Sequence, residues 1–250
     1  LSSGALVTTH KIDLLKACQN LFDELDPYAQ LMGEVSSISK RDGKLVGHAK
    51  DPISSVLALE AFLPENYWEN TSAEIFLMGA GGSTIALTSY LMKETYRSNR
   101  PLRIIVSNRS TPRLEEIRRI HKEFRSTIPA EYVYTPFPED NDVIVGKLAP
   151  YSVVVNGTGL GKDAPGSPLT DAVIFPEHGI AWDFNYRGDL LFLKQAQRQK
   201  EERQLRIEDG WVYFLHGWLQ VIAEVFHLQI PSKGPVFDEL SKIAMKFRPQ

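Results

Sequence analysis

Residues Glu74 to Met78 read EIFLM and run directly into Gly79-Ala80-Gly81-Gly82, after which a helical pattern extends from about Ser83 to Arg97. An apolar strand that breaks at glycines and re-enters as a helix is the start of a βα unit. A strand apolar at every position must be buried on both faces, so its sheet needs helices on either side. The middle of the chain repeats the arrangement. Arg103 to Ser107 (RIIVS) leads through Asn108-Arg109-Ser110 into a helical stretch, Pro112 to Phe124. Pro112 suits a first helical turn, where its missing N–H is no loss. Tyr132 to Thr135, Ser152 to Val155 and Ile180 to Phe184 read as further strands, and Asp189 to Lys200 as a helix. The alternation predicts an α/β chain whose residues 63–210 form a Rossmann-type parallel sheet domain.

The flanks read differently. A strand is expected over Ala5 to Thr8 and a helix over Asp13 to Leu25. A hairpin follows, with Glu34 to Ser39 and Lys44 to His48 on either side of the turn signal Arg41-Asp42-Gly43. Residues 211–250 read as helical, beginning with the aromatic stretch Trp211 to Phe226. We expect a second α/β domain, for substrate, built from residues 1–62 with 211–250 returning to it. The aromatics Trp211, Tyr213, Phe214 and Trp218 are expected in its core.

Composition excludes several function classes. The net charge of −3 supplies no cationic field, which argues against nucleic-acid binding. The single cysteine, Cys18, cannot form an internal disulfide, so the chain does not depend on an oxidising compartment and the cytoplasm is the expected location. No apolar run approaches the ~20 residues that span a bilayer, and no membrane partner is expected. No signal peptide is expected, so the glycosylation-like tripeptides at Asn70, Asn108 and Asn156 read as chance. The chain opens on Leu1 and reads as a strand almost at once, so residues upstream of Leu1 are expected. His10, His48 and His216 lack metal-ligand spacing, and no metal is expected.

The glycine turn carries chemistry. Gly79 allows the tight turn, Ala80 and Gly82 complete it, and Gly81 lets the backbone approach a pyrophosphate. The helix opening at Ser83 offers unpaired N–H groups and a partial positive charge to that anion. Thr84 stands where the GxGxxG pattern has its third glycine. A purely structural turn is the competing reading, and the βαβ context favours the nucleotide. The next strand end selects the cofactor. A site for NAD places a carboxylate there to hold the ribose 2′-OH. Here stand Asn108-Arg109-Ser110, with Arg113 one turn on. Two guanidiniums and no opposing carboxylate suit a 2′-phosphate, so the expected cofactor is NADP. A solvated basic helix start is the alternative.

Seven segments in order resemble the shikimate/quinate dehydrogenase family, from near the start of the chain almost to its end. Val7-Thr8-Thr9-His10-Lys11 resembles VTxPxK, and Gly43 to Asp51 resembles GxLxGxNTD. Gly79 to Ser83 matches the family's GAGG turn, and Asn108-Arg109-Ser110 its NRT/NRS element. Asn156-Gly157-Thr158-Gly159-Leu160-Gly161 resembles NxTPxGM, Asp183 to Tyr186 resembles DxxY, and Asp209-Gly210 opens a region like DGxxMLxxQ. The resemblance implies a two-domain oxidoreductase acting in the cleft between its domains. Lys11 and Asp51 would be the catalytic pair, moving the alcohol proton while hydride passes to or from the nicotinamide. It also implies cofactor contacts at Asn156, Thr158 and Gly159, and substrate contacts at Thr8, Ser36, Tyr186 and His216; capping the sheet is the alternative for Tyr186, and helix packing the alternative for His216. His10 and His48 would neighbour the pair.

Departures from the family pattern gather on the substrate side. Ser36 stands for the asparagine of VNT, Ala49 and Lys50 for the asparagine and threonine of NTD, and Gly217 for a glutamine. Lys162 replaces a methionine, and Arg187-Gly188 stands where the family often has proline. A small polar cyclic or carboxylated substrate other than shikimate is therefore expected, and a homodimer is allowed for. Two other functions remain open: a non-catalytic nucleotide-binding regulatory module of the same fold, and a folate-linked dehydrogenase with a similar plan.

Overall fold

A computed structural model describes residues 2–8, 10–93 and 99–248. Thr9 of the lysine segment and the far end of the helix expected to reach Arg97 lie outside the described residues. The chain divides into two compact units, Leu1–Ala61 with Val212–Gln250, and Phe62–Trp211.

In the first unit, β1 (Gly4–Leu6), β2 (Glu24–Leu25), β3 (Ser37–Arg41) and β4 (Lys44–His48) form a sheet of order β1-β3-β4-β2. The expected hairpin is β3 and β4, antiparallel with Arg41 opposite Lys44. Asp42 and Gly43 both have positive φ, 52° and 79°, the turn geometry that matches the twist of the two strands. The helix expected over Asp13 to Leu25 is shorter and starts earlier, at Lys11–Cys18, followed by a 3-10 turn over Gln19–Leu21. Glu24 and Leu25 instead pair in parallel with Val46 and Gly47. Tertiary packing overrides the local preference there, because Leu25 packs against the core of Leu15, Ala29, Val35 and Ala49. The expected strand at Ala5 to Thr8 is Gly4–Leu6, starting one residue earlier and ending two earlier. The carboxy-terminal segment holds two helices, Trp211–Phe226 and Pro235–Met245. Trp218 is 42% exposed, against its expected place in the core.

In the second unit, β5 (Ile75–Met78), β6 (Ile104–Asn108), β7 (Ala130–Tyr134), β8 (Val153–Asn156), β9 (Ile180–Asp183) and β10 (Arg206–Glu208) form a sheet of order β10-β9-β8-β5-β6-β7. Every pairing in it is parallel. This is the expected Rossmann-type sheet, with β5, β8 and β9 buried at every position. Strand β10 and the helices Asp51–Phe62 and Pro138–Val145 went unread in the sequence. The chain runs from β5 to β6 and β7 on one side, then returns to β8 on the other. The strand order thus reverses beside β5, and the carboxyl ends of β5 and β8 bound the crevice where open α/β sheets take ligands.

Candidate functional site

At that reversal the glycine turn after β5 meets the turn after β8. The Gly79 N–H donates to the Ser107 carbonyl at 2.8 Å, and the Gly157 N–H to the Met78 carbonyl at 2.8 Å. Gly79 has φ 98°, and a Cβ on it would lie 2.8 Å from the Gly157 carbonyl oxygen. Glycine is required at this position on both counts. Gly81 is different. A Cβ there would meet nothing within 4 Å, so its backbone faces open space at the start of the helix Gly82–Leu91. Thr84 in place of the third glycine is accommodated by Gly157, whose absent Cβ would otherwise stand 2.5 Å from the Thr84 hydroxyl. The close approach that the pattern needs has moved from the helix to the neighbouring turn.

At the end of β6, Asn108 accepts the Ser110 N–H at 2.8 Å and turns the chain into the helix Thr111–Glu123. Arg109 and Arg113 are exposed, and neither has a hydrogen-bond or ion-pair partner among the described residues. Their guanidiniums are available to an anion. Asn156 is fully buried and holds the loop behind it. Its amide oxygen accepts the Thr158 N–H at 3.0 Å, and its amide nitrogen donates to Asp183 at 3.0 Å. Asn185 donates to the Thr158 carbonyl at 3.0 Å. Asp183 is pushed up to about 7, burial outweighing the hydrogen bonds from Asn185 and Asn156. Asn156 and Thr158 thus brace the loop, and Gly159 stands exposed at its tip. Tyr186 lies edge-on to Trp211 with centroids 5.5 Å apart.

In the first unit, Lys11 and Asp51 are each the first residue of a helix. Their side chains meet, Lys11 Nζ lying 2.5 Å from Asp51 Oδ2, and both are mostly buried. A helix N-terminus favours the Asp51 carboxylate and opposes the Lys11 ammonium. Burial pulls Lys11 down, but the charges of Asp51 and Glu34 outweigh it, leaving the ammonium above its ordinary value. Glu34, which the sequence reading passed over, is 3% exposed. Burial first and the Asp51 carboxylate second push it up to about 7, against the pull of Lys11.

The other residues expected at the substrate lie as follows. Thr8 is exposed. The Ser36 hydroxyl accepts the Lys50 N–H at 2.7 Å and reaches the His48 carbonyl at 3.4 Å, so backbone groups already engage it. His216 is 2% exposed and stacked on Phe237 at 4.6 Å, with burial pushing it down to about 4. Lys50 Nζ donates to Glu224 at 2.6 Å. Glu224 also lies 3.4 Å from His48 Nε2, and Asp26 lies 3.7 Å from His48 Nδ1. His48 thus sits in a charged cluster that ties the helix Trp211–Phe226 to the sheet of its unit. His10 is exposed, 3.6 Å from Asp13. No spacing pattern in the sequence announces Glu34 or Glu224. Among the described residues no group of acids, histidines and cysteine could hold a metal, and no helix is long and apolar enough to cross a membrane.

No family model matches the chain. A shikimate dehydrogenase (NADP(+)) of Streptococcus thermophilus is 28% identical over 183 residues, 72% of this chain and 59% of that protein. One of Methanocaldococcus jannaschii is 26% identical over 193 residues, 76% of this chain and 61% of that protein. The chain therefore spans about three-fifths of the length of these relatives. Among solved structures, shikimate dehydrogenase from Aquifex aeolicus superposes with a TM-score of 0.69 at 20% identity, covering 98% of this chain and 77% of that one. Quinate dehydrogenase from Corynebacterium glutamicum, in complex with NAD, gives a TM-score of 0.71 at 16% identity, covering 98% and 78%. At these identities the structural likeness speaks for the fold.

Proposed function

We propose that this chain, which is similar to shikimate dehydrogenases over about three quarters of its length, is an NADP-dependent oxidoreductase of the shikimate/quinate dehydrogenase type, interconverting an alcohol and a ketone. The observation that carries the reading is the Lys11–Asp51 pair, a mostly buried ammonium and carboxylate in contact at two helix N-termini. Alcohol oxidation must remove a hydroxyl proton, and ketone reduction must supply one. Lys11 holds a proton for that exchange, and Asp51 orients Nζ and balances its charge. NADP, when bound, accepts or donates the hydride. The open backbone at Gly81 leaves room for its pyrophosphate, and Arg109 and Arg113 suit its 2′-phosphate.

The substrate is a small polar molecule, cyclic or carboxylated, and other than shikimate. Ser36, Ala49 and Lys50 stand where the family has asparagine, asparagine and threonine. A substrate polar group left unpaired there costs roughly 1–3 kcal/mol. Those same departures favour a second reading, a nucleotide-binding regulatory module without turnover.

Two measurements separate these readings. NADPH oxidation is followed against a panel of cyclic and carboxylated ketones, with shikimate and NADP⁺ included for the reverse reaction. Turnover of a panel ketone that exceeds turnover of shikimate supports the proposal, whereas NADPH binding without turnover of any compound favours the regulatory module. NADPH and NADH are also titrated against the wild type and Arg109→Ala. The wild type is expected to prefer NADPH, and the variant to lose about 1.5–3 kcal/mol of NADPH affinity while NADH is unchanged. Equal affinities in the wild type would sink the cofactor assignment.

A further inference from the structure

We propose that Glu34 is a third ionisable member of the Lys11–Asp51 site, a positioning residue that sets the charge of the pair and so its readiness to take or give a proton. The inference rests on the proton-handling role proposed above for the pair. Four observations support it. Glu34 is 3% exposed, and its Oε1 is buried with no hydrogen-bond partner. A buried carboxyl left unpartnered lowers stability, so packing gives no reason to keep one here. The chain brings it to the pair. Gly33 ends the helix Pro27–Met32 with φ 64°, and the next residue is Glu34. The N–H of Val35 then reaches the Lys11 carbonyl at 3.5 Å, tying this segment to the first turn of the lysine helix. Finally, the charges acting on Glu34 are those of Asp51, from the helix Asp51–Phe62, and of Lys11, from the helix Lys11–Cys18.

The consequence is a charge balance that changes near neutral pH. With Glu34 protonated, Lys11 and Asp51 cancel. With Glu34 ionised, the trio carries one negative charge, and Lys11 holds its proton more tightly. Burial and the Asp51 carboxylate push Glu34 up to about 7, which places this change near neutral pH. Neighbouring charges move such midpoints by about 1–3 pH units. Ordinary carbon chain or an amide at position 34 would leave Lys11 answering to Asp51 alone.

The test reads the charges directly, in the full chain and without substrate. Carbon-13 NMR follows the Glu34 carboxyl and the Lys11 ε-carbon against pH. Glu34 is expected to titrate near 7 in the wild type, lower in Asp51→Asn and higher in Lys11→Met. Lys11 is expected to titrate about one pH unit lower in Glu34→Gln. A wild-type Glu34 midpoint in the ordinary carboxylate range overturns the proposal, as does a Lys11 titration indifferent to Glu34→Gln. The wild-type carboxyl decides the matter even if the Gln variant does not fold. Where the ketone panel yields a substrate, the limbs of the pH–rate profile should move about one unit toward acid in Glu34→Gln, with NADPH affinity unchanged. Unmoved limbs in an active, folded variant also overturn the proposal. If no ketone turns over, the function proposed above fails, while the carbon titrations still decide whether Glu34 sets the charge of the pair.

Discussion

Lys11→Ala and Asp51→Ala are each expected to lower turnover by about 10²–10⁴-fold, the usual contribution of a positioned proton-transfer group. NADPH affinity should hold in both. The glycine turn and Arg109 belong to the unit Phe62–Trp211, whereas Lys11 and Asp51 belong to the other. The double variant should lose little more than either single one, because two groups in direct contact work as one device. Steady-state kinetics with a ketone from the panel, beside a fluorescence titration of NADPH, checks all three statements. Loss of NADPH affinity together with turnover would make the pair a support for the fold. Survival of turnover in both single variants would remove it from the chemistry, and Tyr186 would be the next side chain to replace.

Trp182→Ala is expected to destabilise the chain by about 3–5 kcal/mol, the range for deleting a large aromatic from a packed interior. Trp182 is 1% exposed on β9. Phe62 and Phe184 meet it edge-on, with centroids 5.1 and 4.7 Å away. Its indole N–H donates to the Asp209 carbonyl at 3.3 Å, so the substitution also strips that carbonyl of a donor. Denaturant unfolding of wild type and variant gives the difference. Trp182→Phe restores part of the ring and should recover a substantial share of the loss. A change below about 1 kcal/mol for Trp182→Ala would show that this part of the core collapses freely into the space.

Much of the fold was readable from local pattern. Apolar runs such as EIFLM and SVVV allow few arrangements other than buried parallel strands, and β5 and β8 lie where those runs stand. The hairpin followed from Asp42-Gly43, since both residues tolerate the positive φ they adopt. Short elements were not readable. Glu24–Leu25 became a strand because Leu25 found the core of its unit, and Arg206–Glu208 because β9 offered an edge beside it. In neither case does the segment's own sequence prefer that state.

The site divides along the same line. The glycine turn and the basic strand end could be placed from sequence because their chemistry is local: tight turns need glycine, helix starts bind anions, and a 2′-phosphate wants guanidinium at the strand end. The pairing of Lys11 with Asp51 could be named only through the family resemblance, since the two are 40 residues apart and common in type. What surrounds the pair was decided by tertiary structure alone. Lys50 found Glu224 across 174 residues, and Glu34 was left buried beside an ion pair without a partner for its Oε1. Dihedral preference and hydrophobic period are properties of neighbouring residues, so the sequence states them. Burial and charge environment are properties of what the folded chain brings near, so only the fold could supply them.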